Sequence, residues 1–259
     1  MIFAIIQARM GSTRLPSKVL KTVEGKPILW HVVERVGHSK NINGIIVATT
    51  YLDEDKKIIE VAKKLGVKSF AGSEDDVLDR YYQSAKKYNA DVIVRITSDC
   101  PFVDPVIIDK TIEYFKNNDF DYVSTGHITG QEHKSKYPDG LDTEVFSFSA
   151  LKRAWEESKL ASDREHVTPY IWRNKDLFKI GTIDNDKDLS YMRWTVDEEK
   201  DLRFVREIYK KLYSSEKIFL TEDILTLLSR EPNLIKINEN IVRDEGYIKS
   251  LLNDNKKNG

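Results

Sequence analysis

The sequence predicts an α/β protein built on a doubly wound, mostly parallel, Rossmann-like sheet. Short apolar segments alternate with amphipathic helical segments over roughly the first half of the chain. The apolar segments are continuous rather than alternating, as in strands that are buried on both faces by helices. In such sheets ligands bind beyond the carboxyl ends of the strands, so the loops after the strands are the first place to look for function.

The elements of the first half follow in a regular order. Apolar runs predict strands at 2–7, 44–49, 67–70, 91–96 and 122–124. Apolar residues at helical spacing predict helices at 28–36, 55–65, 75–88 and 105–117. Gly66 directly follows the second of these helices, where a glycine can take the left-handed conformation that ends a helix.

The regular alternation of strand and helix segments ends near residue 126. The segments that follow predict a polar loop at 126–138, a strand at 144–148, helices at 149–158 and 166–173, and a strand at 178–183. They read as an insertion before a last core strand at 192–196, followed by helices at 199–213 and 221–229 and a frayed tail at 253–259. The prediction is one domain, 1–259, with its core at 1–125 and 190–250 and an insertion at about 126–190.

Composition limits the functional classes. The 259 residues are 40% hydrophobic and carry 41 Lys and Arg against 42 Asp and Glu, a net charge of −1, so binding of nucleic acid through a bulk positive field is not expected. The single cysteine, Cys100, excludes an intrachain disulfide and a cysteine-based zinc site. Without a signal-like start or an apolar run of roughly 20 residues, a cytoplasmic protein with no membrane partner is expected.

The loop after the first strand is rich in phosphate-binding chemistry. It carries three cations, one glycine and two hydroxyl side chains: Arg9, Arg14, Lys18, Gly11, Ser12 and Thr13. Backbone N–H groups and cations at short range are what a polyphosphate requires, although a solvated basic loop is the alternative. The loop has neither the GxxxxGK[ST] nor the GxGxxG pattern, which disfavours a P-loop protein and a dinucleotide-dependent dehydrogenase.

Two aspartates follow apolar runs. Asp99 comes after the run at 91–96, and Asp197 ends the run at 192–196. If both lie at strand carboxyl ends, they could converge on one Mg²⁺, which favours one or two carboxylates with phosphate oxygens and waters. The alternative is that each aspartate caps the helix after it.

Three further segments have both a structural and a functional interpretation. Ser73 and Arg80 flank an acidic turn that N-caps a helix. Asp142 and Glu144 are two apart and share one face of a strand, which is either solvated or binds hydroxyls and amines of a ligand. His166 lacks an accompanying nucleophile elbow, which disfavours hydrolase chemistry.

The motif Q-A-R-M-G-S-T-R-L-P-x-K at 7–18 resembles the N-terminal signature of the sugar-activating cytidylyltransferases. That group includes the synthetases of CMP-linked acidic sugars, and the spore-coat polysaccharide biosynthesis protein F branch is the most similar. The resemblance continues in order through the segments 47–50, 72–81, 95–101, 137–142, 164–170 and 193–197.

The resemblance implies a nucleotidyltransferase that moves CMP from CTP to an acidic sugar or related small acceptor, releases pyrophosphate and supplies polysaccharide precursors. It implies Mg²⁺ on Asp99 and Asp197, and a homodimer whose contact and acceptor lid come from 126–190. Arg9, Arg14, Lys18, Asp99 and Asp197 would be catalytic. The nucleotide would be bound by Ala8, Arg9, Gly11, Ser12, Thr13, Arg14, Lys18, Ser73, Arg80, Thr97 and Ser98. The acceptor would be bound by Tyr137, Asp142, Glu144, Arg164 and His166. Alternatives are another nucleoside triphosphate, a phosphorylated polyol or phosphonate acceptor, and a non-catalytic nucleotide-binding protein.

Overall fold

A computed structural model describes residues 1–129, 132–239, 241 and 245–257, with backbone alone at 127–129, 132, 133 and 255–257. The strands are β1 (Ile2–Gln7), β2 (Thr22–Val23), β3 (Lys26–Pro27), β4 (Gly44–Thr50), β5 (Lys68–Gly72), β6 (Val92–Thr97), β7 (Tyr122–Thr125), β8 (His127–Thr129), β9 (Glu132–Lys134), β10 (Glu144–Ser147) and β11 (Ile180–Ile183). The helices are α1 (Ile28–Gly37), α2 (Lys56–Lys64), α3 (Val77–Lys87), α4 (Pro105–Asn117), α5 (Phe148–Glu157), α6 (Ala161–His166), α7 (Pro169–Arg173), α8 (Glu199–Leu212), α9 (Thr221–Arg230) and α10 (Glu245–Lys257).

Seven strands form the central sheet in the order β11-β7-β10-β6-β1-β4-β5. Neighbouring strands are parallel except for β10, which runs antiparallel to both β6 and β7. Side chains alternate across the sheet, so that Ile6 joins the apolar cluster on one face and Ile5 the cluster on the other. Helices cover both clusters, and the predicted mostly parallel α/β fold is confirmed.

Local signals explain where several helices begin and end. Asp104 accepts a hydrogen bond from Val106 N–H at 2.9 Å and caps α4, whose first residue is Pro105. Gly66 follows α2 with a φ of +69°, which confirms the predicted left-handed end.

The second half differs from the prediction in several places. The strand expected at 192–196 does not form, because its backbone hydrogen-bonds to the loop residues Asp139 and Asp99 instead of to a neighbouring strand. The expected helix at 166–173 is two helices, α6 and α7, separated by Val167 with a φ of +72°. The expected frayed tail is helical through Lys257, and residues 258–259 lie outside the described part.

The segment predicted as an insertion contributes to the sheet itself. Both β10 and β11 come from this segment, and β10 lies between β6 and β7 in the middle of the sheet. Glu144 at the start of β10 pairs in register with Arg95 of β6, a long-range pairing that no local pattern predicts. The expected role of 126–190 as acceptor lid and dimer contact stays a prediction.

Among the described residues, no helix combines the length and the apolar character that a membrane span requires.

Candidate active site

Two loops leave the sheet side by side. Gln7, the last residue of β1, is in register with Thr97, the last residue of β6. Because the two strands are parallel, the loop after each begins at the same carboxyl edge. A cavity of about 380 Å³ opens there. Its lining includes, from the loop after β1 and from the end of β6, Ala8, Arg9, Gly11, Ser12, Thr13, Arg14, Lys18, Thr97, Ser98 and Asp99.

The backbone of the loop after β1 is held by a buried carboxylate. Asp55, which is fully buried, accepts a hydrogen bond from Met10 N–H at 2.7 Å. The hydroxyl of Thr50 donates to the other oxygen of this carboxylate. Within the loop, Ser12 N–H and Ser17 N–H both donate to the Met10 carbonyl, at 2.9 and 3.2 Å. The loop conformation is therefore fixed before any ligand arrives.

Lys18 lies between the two predicted metal aspartates. Its ammonium donates to Asp99 Oδ2 at 2.6 Å and to Asp197 Oδ1 at 2.8 Å. Two hydrogen bonds from one nitrogen place these oxygens about 6 Å apart at most. The predicted convergence of Asp99 and Asp197 on one edge of the sheet is therefore confirmed.

The charges in this cluster support one another. Burial lowers the pKa of Lys18, but the two aspartates outweigh it and the pKa is raised above its ordinary value. Burial raises the pKa of Asp99, but Lys18 outweighs it and the pKa falls below its ordinary value. Lys18 is therefore an ammonium and Asp99 a carboxylate at neutral pH.

Arginines hold Asp197 on both sides. Arg193, which is 7% exposed, donates to Asp197 Oδ2 at 2.7 Å and to Asp139 at 2.7 Å, and its Nε donates to Asp201 at 3.0 Å. Arg14 pairs with Asp197 Oδ1 at 2.9 Å. Each oxygen of Asp197 thus has a cationic partner, which fixes the carboxylate in one orientation.

Neither aspartate caps a helix. Helix α8 begins after Glu198, and its capping box uses Asp201, which accepts from Asp197 N–H and Glu198 N–H at 2.9 and 3.0 Å. Asp99 lies in the turn after β6, and the next helix is capped by Asp104. The capping alternative is wrong for both, and both aspartates line the cavity.

The site offers Mg²⁺ two carboxylate ligands, Asp99 and Asp197. Two carboxylates approach one point that a cation, the Lys18 ammonium, already occupies. Within the described ranges no group of three or more His, Cys, Asp or Glu side chains is arranged to hold a metal. Two carboxylates with phosphate oxygens and waters still suit Mg²⁺, so the residues fit a metal that arrives with a nucleotide and replaces the ammonium.

The predicted nucleotide residues are brought together with one exception. Arg80 lines the cavity and is 2% exposed, and burial lowers its pKa. Ser73 lies outside the lining: its hydroxyl accepts from Asp76 N–H at 3.1 Å, while its carbonyl accepts from Arg80 at 3.2 Å. Ser73 therefore shapes the turn before α3 and positions Arg80.

Of the five predicted acceptor residues, His166 alone lines the cavity. Glu144 is buried and accepts from Tyr122 and Thr168 at 2.5 and 2.6 Å, and it pairs with Arg95. The side chain of Glu144 therefore faces the protein interior, and the structure does not support its predicted role in binding the acceptor.

The other three predicted acceptor residues also serve the structure. Arg164 pairs with Asp76 at the start of α3 and donates to Trp155 O at 2.7 Å. Asp142 accepts from Gly140 N–H at 3.1 Å in a tight turn. Tyr137 is 4% exposed, and burial raises its pKa. None of the three lines the cavity.

Sequence reasoning missed one side of the cavity. Glu165 and three residues of α10, Glu245, Gly246 and Lys249, line it. Glu245 accepts from Arg14 at 2.8 Å. The signal was present as helix-forming composition after 245, with no proline. Its placement against the cavity depends on contacts with residues some 85 positions earlier.

Comparisons with known proteins agree with this geometry. A family model described as cytidylyltransferase matches residues 3–239. The spore coat polysaccharide biosynthesis protein SpsF of Bacillus subtilis is 31% identical over 241 residues, covering 90% of this chain and 95% of that protein. A cytidylyltransferase structure from Leptospira borgpetersenii has a TM-score of 0.83 and 34% identity, covering 93% of this chain and 98% of that one.

A more distant structure shares the fold. It is a CMP:2-keto-3-deoxy-manno-octonic acid synthetase complexed with CTP, with a TM-score of 0.63 and 18% identity, covering 81% of this chain and 98% of that one. The resemblance noted from the motifs at 7–18 and 193–197 is thereby confirmed along nearly the whole chain. The protein belongs to the cytidylyltransferase family of nucleotidyltransferase enzymes.

Proposed function

We propose that this enzyme transfers CMP from CTP to an acidic sugar or a related acceptor and releases pyrophosphate, in the synthesis of a surface polysaccharide precursor. The observation that carries the proposal is the meeting of the cationic loop with Asp99 and Asp197 in one cavity, with Lys18 at their junction. A structural neighbour in complex with CTP supports the nucleotide, and a relative named for polysaccharide biosynthesis supports the use of the product.

In the reaction, an oxygen of the acceptor attacks the α-phosphorus of CTP. A bond forms between that oxygen and phosphorus, the bond to the bridging oxygen of the β-phosphate breaks, and the acceptor hydroxyl gives its proton to solvent water. The electron pair leaves with pyrophosphate, whose charge must be neutralised as it develops. Little covalent chemistry is asked of the protein, because positioning and charge carry most of such reactions.

The side chains divide this work. Arg9, Arg14 and the loop N–H groups bind the β- and γ-phosphates. Once Lys18 is released from its two aspartates, its ammonium pairs with the leaving pyrophosphate. Asp99 and Asp197 would hold Mg²⁺, which would polarise the α-phosphate when bound. Arg193 keeps Asp197 oriented throughout, because it contacts the oxygen that faces away from Lys18.

The test is pyrophosphate release by the purified protein in Mg²⁺. Each of CTP, UTP, ATP and GTP is paired with sugar acids, neutral sugars, phosphorylated polyols and phosphonates, and Asp99→Asn serves as the inactive control. The proposal predicts rapid release with CTP and a sugar acid. Faster release with another triphosphate, or equal release without Mg²⁺, contradicts it.

The proposal includes a cytoplasmic homodimer. Light scattering on the purified protein measures the mass directly. A monomer at catalytic concentrations, with full activity, would remove the dimer from the account and leave the chemistry untouched.

A further inference from the structure

Helix α10 follows the segment that the family model matches. The cytidylyltransferase match ends at residue 239, and the helix begins at Glu245. It nevertheless packs against α6. Ser250 Oγ donates to Glu165 at 2.7 Å and contacts His166 Nε2 at 3.0 Å. One turn later, Asp254 accepts from Ser162 N–H at 3.3 Å. These contacts make α10 a fixed wall of the cavity.

The packing fixes which face of α10 meets the cavity. The ring of Tyr247 packs edge-on against His166, with centroids 5.1 Å apart, and against Trp172 at 6.1 Å. Glu245 and Lys249 are four residues apart and so share one face of the helix. Both line the cavity together with Glu165.

Lys249 is a cationic residue of the cavity wall that the reaction steps above do not use. Lys18 is neutralised by two aspartates, and Arg14 by Asp197 and Glu245. By contrast, Lys249 makes no ion pair with any side chain that the structure describes, and it is exposed to the cavity. Its ammonium is available for an anionic group of a ligand.

The neighbouring charges indicate which ligand that is. Glu165 and Glu245 lie on the same wall. Arg14 offsets the charge of Glu245, but the carboxylate of Glu165 would repel a triphosphate beside it. The same carboxylates suit the hydroxyl groups of an acceptor, which donate hydrogen bonds, while one anionic group of that acceptor pairs with Lys249.

From these observations we infer that α6 and α10 form the acceptor wall, and that Lys249 binds the carboxylate or phosphate of a small, hydroxylated, anionic acceptor. This inference rests on the proposed function. Lys249 is a specificity-determining residue: it selects anionic over neutral acceptors, while the loop at 8–18 binds the triphosphate.

The test compares Lys249→Gln, Lys249→Arg and a control, Lys210→Gln, which removes an exposed lysine of α8 that does not line the cavity. Pyrophosphate release is measured with CTP and four probes: 3-deoxy-manno-octulosonate, N-acetylneuraminate, glycerol 3-phosphate and the neutral sugar mannose. Each variant gives a KM for acceptor, a KM for CTP and a kcat.

Wild-type protein should use an anionic probe in preference to mannose. Lys249→Gln should raise the KM for that probe about 10- to 100-fold, since a charge-assisted hydrogen bond is lost, with the KM for CTP unchanged. Lys249→Arg should restore most of the loss, and Lys210→Gln should match wild type.

Two results overturn the inference alone: an unchanged acceptor KM in Lys249→Gln, or an equal rise in the KM for CTP. Preferred use of mannose by wild-type protein overturns this inference together with the acidic acceptor of the proposed function. No pyrophosphate release by wild-type protein with any probe overturns the proposed function and this inference together. Because that result concerns wild-type protein, it is distinct from every result of the variants.

Discussion

Removing the carboxylate of Asp55 should both destabilise the protein and weaken nucleotide binding. Asp55 does not line the cavity, yet it is fully buried and holds Met10 N–H at 2.7 Å and the Thr50 hydroxyl. In Asp55→Ala both donors lose their acceptor in a buried site. Each such loss costs about 1–3 kcal/mol, so unfolding should become easier by about 3 kcal/mol.

The same change should loosen the loop that meets the triphosphate. With Met10 released, the N–H groups and cations at 8–18 lose their fixed geometry, and the affinity for CTP should fall about 10-fold. Asp55→Asn keeps an oxygen for Met10 N–H, so it should lose about 1 kcal/mol of stability and little affinity.

Asp109→Ala is the matched control. Asp109 also holds a loop, accepting from Lys40 N–H and Asn41 N–H at 3.0 Å each, but that loop does not line the cavity. Denaturant unfolding gives stability, and calorimetry with CTP in Mg²⁺, on samples that are folded, gives affinity. Wild-type affinity in Asp55→Ala, or the same loss in Asp109→Ala, would refute the reasoning.

Three further predictions concern the site and the core. Lys18→Ala should lower turnover by roughly 10²-fold, whereas Lys21→Ala, three residues on, should match wild type; equal activities in a steady-state assay would remove Lys18 from the mechanism. Asp99→Asn and Asp197→Asn should each lower Mg²⁺-dependent turnover by at least about 10²-fold with cooperative unfolding retained, and an active variant in a Mg²⁺ titration would contradict the metal assignment. Burial lowers the pKa of His31 to about 4, whereas the unfolded chain binds that proton from about pH 6.5 downward. The free energy of unfolding should therefore fall between pH 6.5 and 4, and it should fall less in His31→Gln. Equal slopes of unfolding free energy against pH in the two proteins would refute this.

The sequence was most informative where structure is decided locally. The apolar run at 2–7 and the helical spacing at 105–117 predict β1 and α4 with almost their observed bounds. The loop after β1 is recognisable because its cations, glycine and hydroxyls are contiguous. Asp99 is predictable for the same reason, since it directly follows the β6 region.

The remainder depends on contacts between distant residues. The sequence predicts that Glu144 lies at a half-exposed position of a strand, but its pairing with Arg95 buries it. Arg164 could have faced a ligand, but it pairs with Asp76, 88 residues away. The apolar run at 192–196 forms no strand, because Arg193 is held by carboxylates instead of by a neighbouring strand.

The central claim is that the cavity at 8–18 and Asp99 is a site for CTP, and calorimetric titration in Mg²⁺ tests it most directly. The account predicts that CTP binds at least about 10-fold more tightly than UTP, ATP or GTP, and that Asp99→Asn weakens this binding. Equal binding of all four triphosphates, or tighter binding of any of the other three, would contradict it.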